Sequence, residues 1–343
     1  HRDLHLSIRR QRQMCIRDRS DAIAADTLSP QDVRELNKKI LDDPNNASLY
    51  HERGAAYFKH KMYDEAIADV QRAIKLDSTN ANQYITLADI YLATNKTRGT
   101  KEALEKSLAI DPENKKALMK LAELLFLVRS YDESLKYLDE VLKLDQYNAK
   151  AYFMKGMNFL ETGDTNKAIS SMQTAVEQDQ NYYAAYMEIG VLYADKKNKL
   201  AIDYYDNALK LQPHSTEAHY CKGKFFQDIG DWNNAIQTYN TLLGLDSTFK
   251  DAYYNLGAIE LINKKYQSAI AYFDRAINID PKYVEAYFAK GTAYQAMNNK
   301  KQAMENYSRC QAGQRQRWWA AGCWYFRKYQ RPITDSTRWR ISC

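Results

Sequence analysis

The 343-residue chain carries 49 Lys and Arg against 43 Asp and Glu, a formal charge of +6. That excess sits at the ends: residues 1–20 hold six Arg against two Asp, and residues 311–343 hold seven Lys or Arg against one Asp, which leaves the body between them mildly acidic at −4. An acidic body with intermixed signs is a solvated surface, not a phosphate-binding stripe, so the basic total argues for no nucleic-acid partner; the five cysteines form no CxxC spacing and no disulfide framework.

In chain order, His1–Arg19 has no apolar run long enough for a secretory signal or a membrane span, so no direct membrane insertion is expected. Its string QRQMCIRDR resembles translated sequencing-adapter DNA, and residues 1–19 are set aside from fold reasoning. Residues 20–46 read as a lead-in followed by a capping helix. Ser20–Leu28 is small and acidic, then Ser29 as N-cap, Pro30 at the first helical position and Asp32 in the first turn open a helix to about Leu41. Val33, Leu36 and Ile40 give that helix one apolar face, and Asp43-Pro44 closes it.

From Ala47 a unit of thirty-four residues recurs, clearest in Lys250–Tyr283. The copies are 47–80, 81–114, 115–148, 149–182, 183–215, 216–249, 250–283 and 284–310, and the fifth is one residue short in the Ala194–Lys199 turn. In the unit, Tyr253, Leu256, Gly257 and Glu260 share one face of a first helix, and Ala269, Phe273, Ala276 and Ile277 one face of a second. The eighth position is always Gly or Ala. The twentieth is small, and four residues later comes a large knob, from Val70 and Leu104 to Phe273 and Tyr307, sized for the hole the small residues leave. Pro44, Pro112, Pro213 and Pro281 follow second helices, which proline cannot continue. Glu260 stands where other copies carry Tyr57, Tyr91, Phe159 or Tyr294, and is expected to reach solvent or a tyrosine hydroxyl.

This pattern, aromatic-x2-Leu-Gly-x2-Tyr, then Ala-x3-Phe and a terminal Pro, resembles the tetratricopeptide repeat family over roughly Ala47–Cys310. The resemblance implies an all-α right-handed solenoid, a superhelix of helix-turn-helix units. It also implies a non-enzymatic scaffold that holds a peptide or a partner helix in the groove lined by positions 2, 5, 9 and 12 of the first helices. Position 5 runs His51, Ile85, Met119, Phe153, Met187, Tyr220, Tyr254 and Phe288, and Met157 at position 9 and Leu160 at position 12 add to it. Groove is favoured over core for Met119, Phe153, Met157, Leu160 and Met187, where several apolar positions coincide. Core and groove both stay open for Tyr220, Tyr254 and Phe288. Family members that grip a C-terminal carboxylate use Lys or Arg and Asn there; Asp89 and Glu123 would repel one, which favours a protein partner with apolar anchors flanked by basic residues that meet Asp89, Glu123 and Glu161.

No phosphate loop, nucleophile elbow or HExxH occurs, and no cofactor or metal is expected. The rival class is the recruiting module of a larger enzyme, such as a transferase, with its catalytic domain elsewhere. Self-association through the uncapped last repeat is a further expectation. After Arg309 the period vanishes and four of the five Trp crowd into residues 311–343, as in a frameshifted tail. The unit style fits a bacterial protein, cytoplasmic or held at the cell envelope; nothing in the residues chooses.

Overall fold

The computed structural model describes residues 30–317. They form α-helices only, in two compact units that divide between Asp164 and Thr165 and are described separately. The first unit contains α1 (Gln31–Asp42), α2 (Ala47–Lys59), α3 (Tyr63–Leu76), α4 (Ala81–Ala93), α5 (Thr97–Ile110), α6 (Lys115–Leu127), α7 (Tyr131–Leu144) and α8 (Ala149–Glu161). The second contains α9 (Thr165–Gln178), α10 (Tyr183–Asp195), α11 (Leu200–Leu211), α12 (Thr216–Asp228), α13 (Trp232–Leu245), α14 (Lys250–Ile262), α15 (Tyr266–Ile279), α16 (Val284–Ala296) and α17 (Lys300–Arg317). Each unit is an all-α solenoid. A first helix packs on the second helix of its own pair, and that second helix packs on the next first helix.

The joint inside a pair is a knob against a small residue. A Cβ on Gly257 would lie 2.6 Å from Cε1 of Phe273, and one on Gly223 would lie 2.8 Å from Cε1 of Tyr239. Only a residue without a side chain lets those rings lie flat on the helix backbone. In the first unit Ala88 and Ala122 stand at this position, and their knobs Leu104 and Leu138 are aliphatic and fully buried in the same clusters. The narrower branched chain leaves room for the methyl that an aromatic ring excludes.

Each first helix ends in a left-handed residue, at Lys61, Asn95, Arg129, Gly163, Lys197, Gly230, Lys264 and Asn298. Lys197 keeps the thirty-four-residue step from Gly163, so the fifth copy loses its residue after this point. Helix α11 accordingly has 12 residues where α13 has 14. It opens on tight bonds, Ala201 N–H to Asn198 C=O and Ile202 N–H to Lys199 C=O, both 3.0 Å.

First helices start under an Asn side chain in the first unit: Asn46, Asn80, Asn114 and Asn148 accept from Ser48, Asn82, Ala117 and Ala151 backbone N–H groups. In the second unit, Tyr182, Phe249 and Tyr283 take that place and make no side-chain cap. Their rings are used otherwise.

Adjacent pairs are also stitched by ion pairs. Lys155 Nζ lies 2.6 Å from Asp139, and Lys222 and Lys290 lie 2.5 Å from Asp206 and Asp274. Each joins a first helix to the second helix before it. Arg53 does the same through Asn37 of α1, at 2.7 Å, and forks onto Asp69 at 2.6 and 2.7 Å.

Three expectations change in detail. Pro30 sits at the N-cap of α1, one residue outside the helix, because its carbonyl already accepts the first helical bond from Arg34. Ser29 lies outside the described residues, as do residues 1–19. At the other end α17 continues past Cys310 to Arg317, so the expected tail lies within the described residues only at 311–317. Glu260 reaches solvent only in part, its side chain 12% exposed, and pairs at 3.7 Å with Lys265 in the following turn instead of with a tyrosine hydroxyl.

Gly257→Ala should lower stability by about 1–2 kcal/mol, the overpacking against Phe273 exceeding the helix-propensity gain of alanine. Adding Phe273→Leu should restore most of the loss by recreating the Ala122–Leu138 combination. Thermal and urea unfolding of the full chain measure both.

Candidate partner-binding face

First helices touch first helices: α2 touches α4 and α6 touches α8, and in the second unit α10 touches α12, α12 touches α14 and α14 touches α16. They form one layer of each unit, and positions 2, 5, 6, 9 and 12 belong to its face.

Position 5 is more structural than its sequence suggests. Met119 is 9% exposed and Met187 is 6% exposed. This corrects the expectation that Met119 and Met187 line the groove. Met119 is wedged among Leu138 and Val141 of α7 and Ala151 of α8. Met187 is held among Ala201, Tyr205 and Ala208 of α11 and Ala218 of α12. A side chain at this position points into the angle between its own second helix and the next first helix, so the following pair buries it.

The aromatics at position 5 meet the same neighbours. Tyr220 lies 6.3 Å from the knob Tyr239 and 5.3 Å from Phe249, centroid to centroid. Tyr254 lies 5.9 Å from Phe273 and 5.5 Å from Tyr283. Phe249 and Tyr283 are the residues that replace Asn at the helix start, so α14 and α16 exchange a hydrogen-bonded cap for an aromatic clamp, while α12 keeps a cap in Ser215, which accepts from the Ala218 N–H. Burial pushes the Tyr254 and Tyr283 hydroxyls up, and Tyr283 also donates to Asp251 at 2.5 Å. Phe288 packs on Tyr307 at 5.5 Å but is 46% exposed, because no first helix follows α17 among the described residues to clamp it. On α8, Phe153, Met157 and Leu160 are half-buried.

The polar groups of the first unit's face are mostly spent on one another. His51 Nε2 lies 2.8 Å from Thr86 Oγ1, joining α2 to α4. Lys120 donates to Asp89 at 2.6 Å, joining α4 to α6. Lys150 Nζ lies 2.5 Å from Glu123, joining α6 to α8, although off hydrogen-bond geometry. Asp89 and Glu123 are therefore neutralised within the chain, which corrects the expectation that they meet a partner's basic residues. Glu161 is engaged too, by the Tyr131 hydroxyl at 3.2 Å.

The second unit's face differs. Glu188 of α10 is half-buried with no hydrogen bond or ion pair among the described residues, and the charged group beside it is another acid, Glu217 of α12. Burial first, and Glu217 second, push its carboxyl above the ordinary 4.5. Glu217, Asp251 and Glu285 occupy position 2 of successive first helices, where the first unit has Lys116 and Lys150. Sequence reading passed over Glu188 and Glu217 because it scored apolar residues at positions 5, 9 and 12; comparing the charge at positions 6 and 2 between copies would have found them.

A carboxyl whose pKa is raised by folding contributes stability that is complete below its unfolded value and lost as pH rises through the folded one. Glu188→Gln should therefore raise the thermal midpoint of the full chain at pH 7, and the difference should vanish by pH 4.

Models of the tetratricopeptide repeat match residues 47–80, 85–149, 153–216, 251–283 and 272–305, together more than half of the chain. Anaphase-promoting complex subunit 3 of Schizosaccharomyces pombe is 30% identical over 105 residues, 30% of this chain and 16% of that protein. UDP-N-acetylglucosamine–peptide N-acetylglucosaminyltransferase of Giardia intestinalis is 29% identical over 97 residues, 28% of this chain and 7% of that protein. The chain thus matches only a small part of the length of these curated relatives. Among solved structures, the C-terminal part of a TPR repeat-containing protein from Cytophaga hutchinsonii superposes with a TM-score of 0.55 at 18% identity, covering 65% of this chain and 93% of that one, a likeness of fold alone. Knob and hole, left-handed turn and thirty-four-residue period agree with these matches: the chain belongs to the tetratricopeptide repeat family.

Proposed function

We propose that this protein-interaction scaffold holds a peptide or helical segment of another protein along the face of its first helices. The observation that carries the reading is the row Phe153, Met157 and Leu160 on α8: three large apolar side chains at positions 5, 9 and 12 of one helix, each left partly open to water. Elsewhere on the first unit's face Ile85 and Met119 are buried and Phe58 is folded onto Tyr63 at 6.1 Å, while Leu92 at position 12 of α4 is a single exposed residue, 43% open. Affinity in such a site comes from a few anchors rather than from area. The module itself is of a non-catalytic type, and the chain acts by bringing a partner into place.

A second reading, a recruiting segment of a larger enzyme, draws support from the 97 residues shared with the Giardia peptide N-acetylglucosaminyltransferase. In that reading the same face holds the substrate protein, and a catalytic domain lies elsewhere in the gene. Self-association through α17 would use a different surface and predicts a dimer that fusion of a solvating helix after residue 317 abolishes.

The test uses variants that spare the core. Met187→Asp is unsuitable because Met187 is buried and a carboxylate there would unfold α10. Met157→Asp with Leu160→Asp should leave helicity unchanged and remove partners that the wild-type full chain captures. Retention of the same partners would move recognition off this face.

A further inference from the structure

We infer that the first-helix face of the second unit takes a partner segment in which Lys or Arg side chains stand next to a large apolar one, the cation seating between Glu188 and Glu217. This deepens the reading above and rests on it, since it names the chemistry of the segment that the scaffold holds.

The inference starts from a contrast in charge between the two faces. In the first unit the two acids at position 9 face a lysine of the next first helix, Asp89 facing Lys120 and Glu123 facing Lys150, while Glu52, which shares position 6 with Glu188, is exposed and accepts from the Ser48 hydroxyl at 3.1 Å. In the second unit the next helix offers Glu217 instead, and Glu188 is left half-buried against a like charge. Taking a carboxylate out of water without a counter-ion costs stability, and a second carboxylate beside it adds to that cost. A bound cation removes both penalties together, which makes the face selective for one. The row continues in the same sign: Glu285 of α16 is exposed and, after burial, helps to raise the Tyr254 hydroxyl of α14, one first helix before it. Lys224, the one lysine at position 9 in this unit, is tied to Asp228 and does not reach across to neutralise the acids.

Between the acids lies the apolar part of the face. Val191 of α10, Tyr220 of α12 and Leu261 of α14 are half-buried. Tyrosine rings beside carboxylates suit the stem of a Lys or Arg as well as its charge, the aliphatic part lying on the ring and the head reaching the oxygens. The occupant this describes alternates basic and apolar side chains. An acidic segment, or a free C-terminal carboxylate, would meet only repulsion.

The experiment selects peptides from a random display library on the wild-type full chain, then measures the affinity of the selected peptides for charge variants. Basic and apolar residues should be enriched together. Glu188→Lys and Glu217→Lys should each weaken the selected peptides about tenfold or more, while Asp203→Lys, the same charge change on the exposed side of α11, should leave them within about twofold. Glu188→Gln guards against misfolding as the cause: it should weaken binding without lowering the thermal midpoint. Enrichment without basic residues, or equal weakening by Asp203→Lys, would overturn the inference. Non-basic peptides that still lose binding to Leu261→Asp would end this inference and keep the groove reading; peptides that respond to no variant on the face would end both. Displacement by a synthetic peptide of residues 311–343 at equal concentration would reassign the face to the chain's own basic segment and overturn the assignment to a partner.

Discussion

Everything in these two units depends on how closely a first helix can approach its second helix. The contact is one small residue against one large one: Gly190, Gly223, Gly257 and Gly291 lie under Tyr205, Tyr239, Phe273 and Tyr307, so near that a methyl group on the glycine would overlap the ring. Such a joint fixes the angle of a pair, and the angle sets where the next pair lands. The two units solve it differently, with Ala over Leu in part of the first and Gly under an aromatic ring in the second. A single pair buries too little to stand alone, so these joints are cooperative with the stacking between pairs. The Lys155–Asp139, Lys222–Asp206 and Lys290–Asp274 ion pairs add orientation to that stacking more than they add energy, being partly exposed.

The same joint explains why the face of the first helices is only partly free for a partner. Position 5 points at the place where the next pair arrives, so Ile85, Met119 and Met187 are consumed by folding, and Tyr220 and Tyr254 are clamped between a knob and the aromatic residue that starts the next helix. What folding does not consume differs by unit. In the first it is an apolar row on α8, where the charges have already paired. In the second it is a run of acids with tyrosine and aliphatic side chains between them. Two chemically different surfaces thus arise from one repeating plan, by changes at positions that the core does not need.

Much of the fold was legible in the sequence because the period is strict. Helices start at Ala47, Ala81, Lys115, Ala149, Tyr183, Thr216, Lys250 and Val284, and prolines stand two residues past second helices at Pro44, Pro112, Pro213 and Pro281. The small-residue and knob positions told which faces meet. Less of the face was legible, since hydrophobicity alone does not separate a methionine buried by the next pair from one open to water. Met119 and Met157 illustrate this: both are methionines on a first helix, yet one is core and the other half-open. The spacing of sixteen that joins each Asp to its Lys was visible in the sequence but crosses from a second helix to the following first helix, outside any single-helix pattern. The exchange of Asn148 for Tyr182, Phe249 and Tyr283 at helix starts was visible too; that it trades a cap for a ring clamp emerges only from where Tyr220 and Tyr254 lie.

The account turns on recognition through the first helices, and amide hydrogen exchange of the full chain with and without a bound partner segment tests it most directly. Protection concentrated in α8, α10, α12 and α14, with the second helices α7, α11, α13 and α15 unchanged, is the result the account predicts. Protection confined to the second helices or to the turns between pairs would contradict it and place the partner on the opposite side of the repeats.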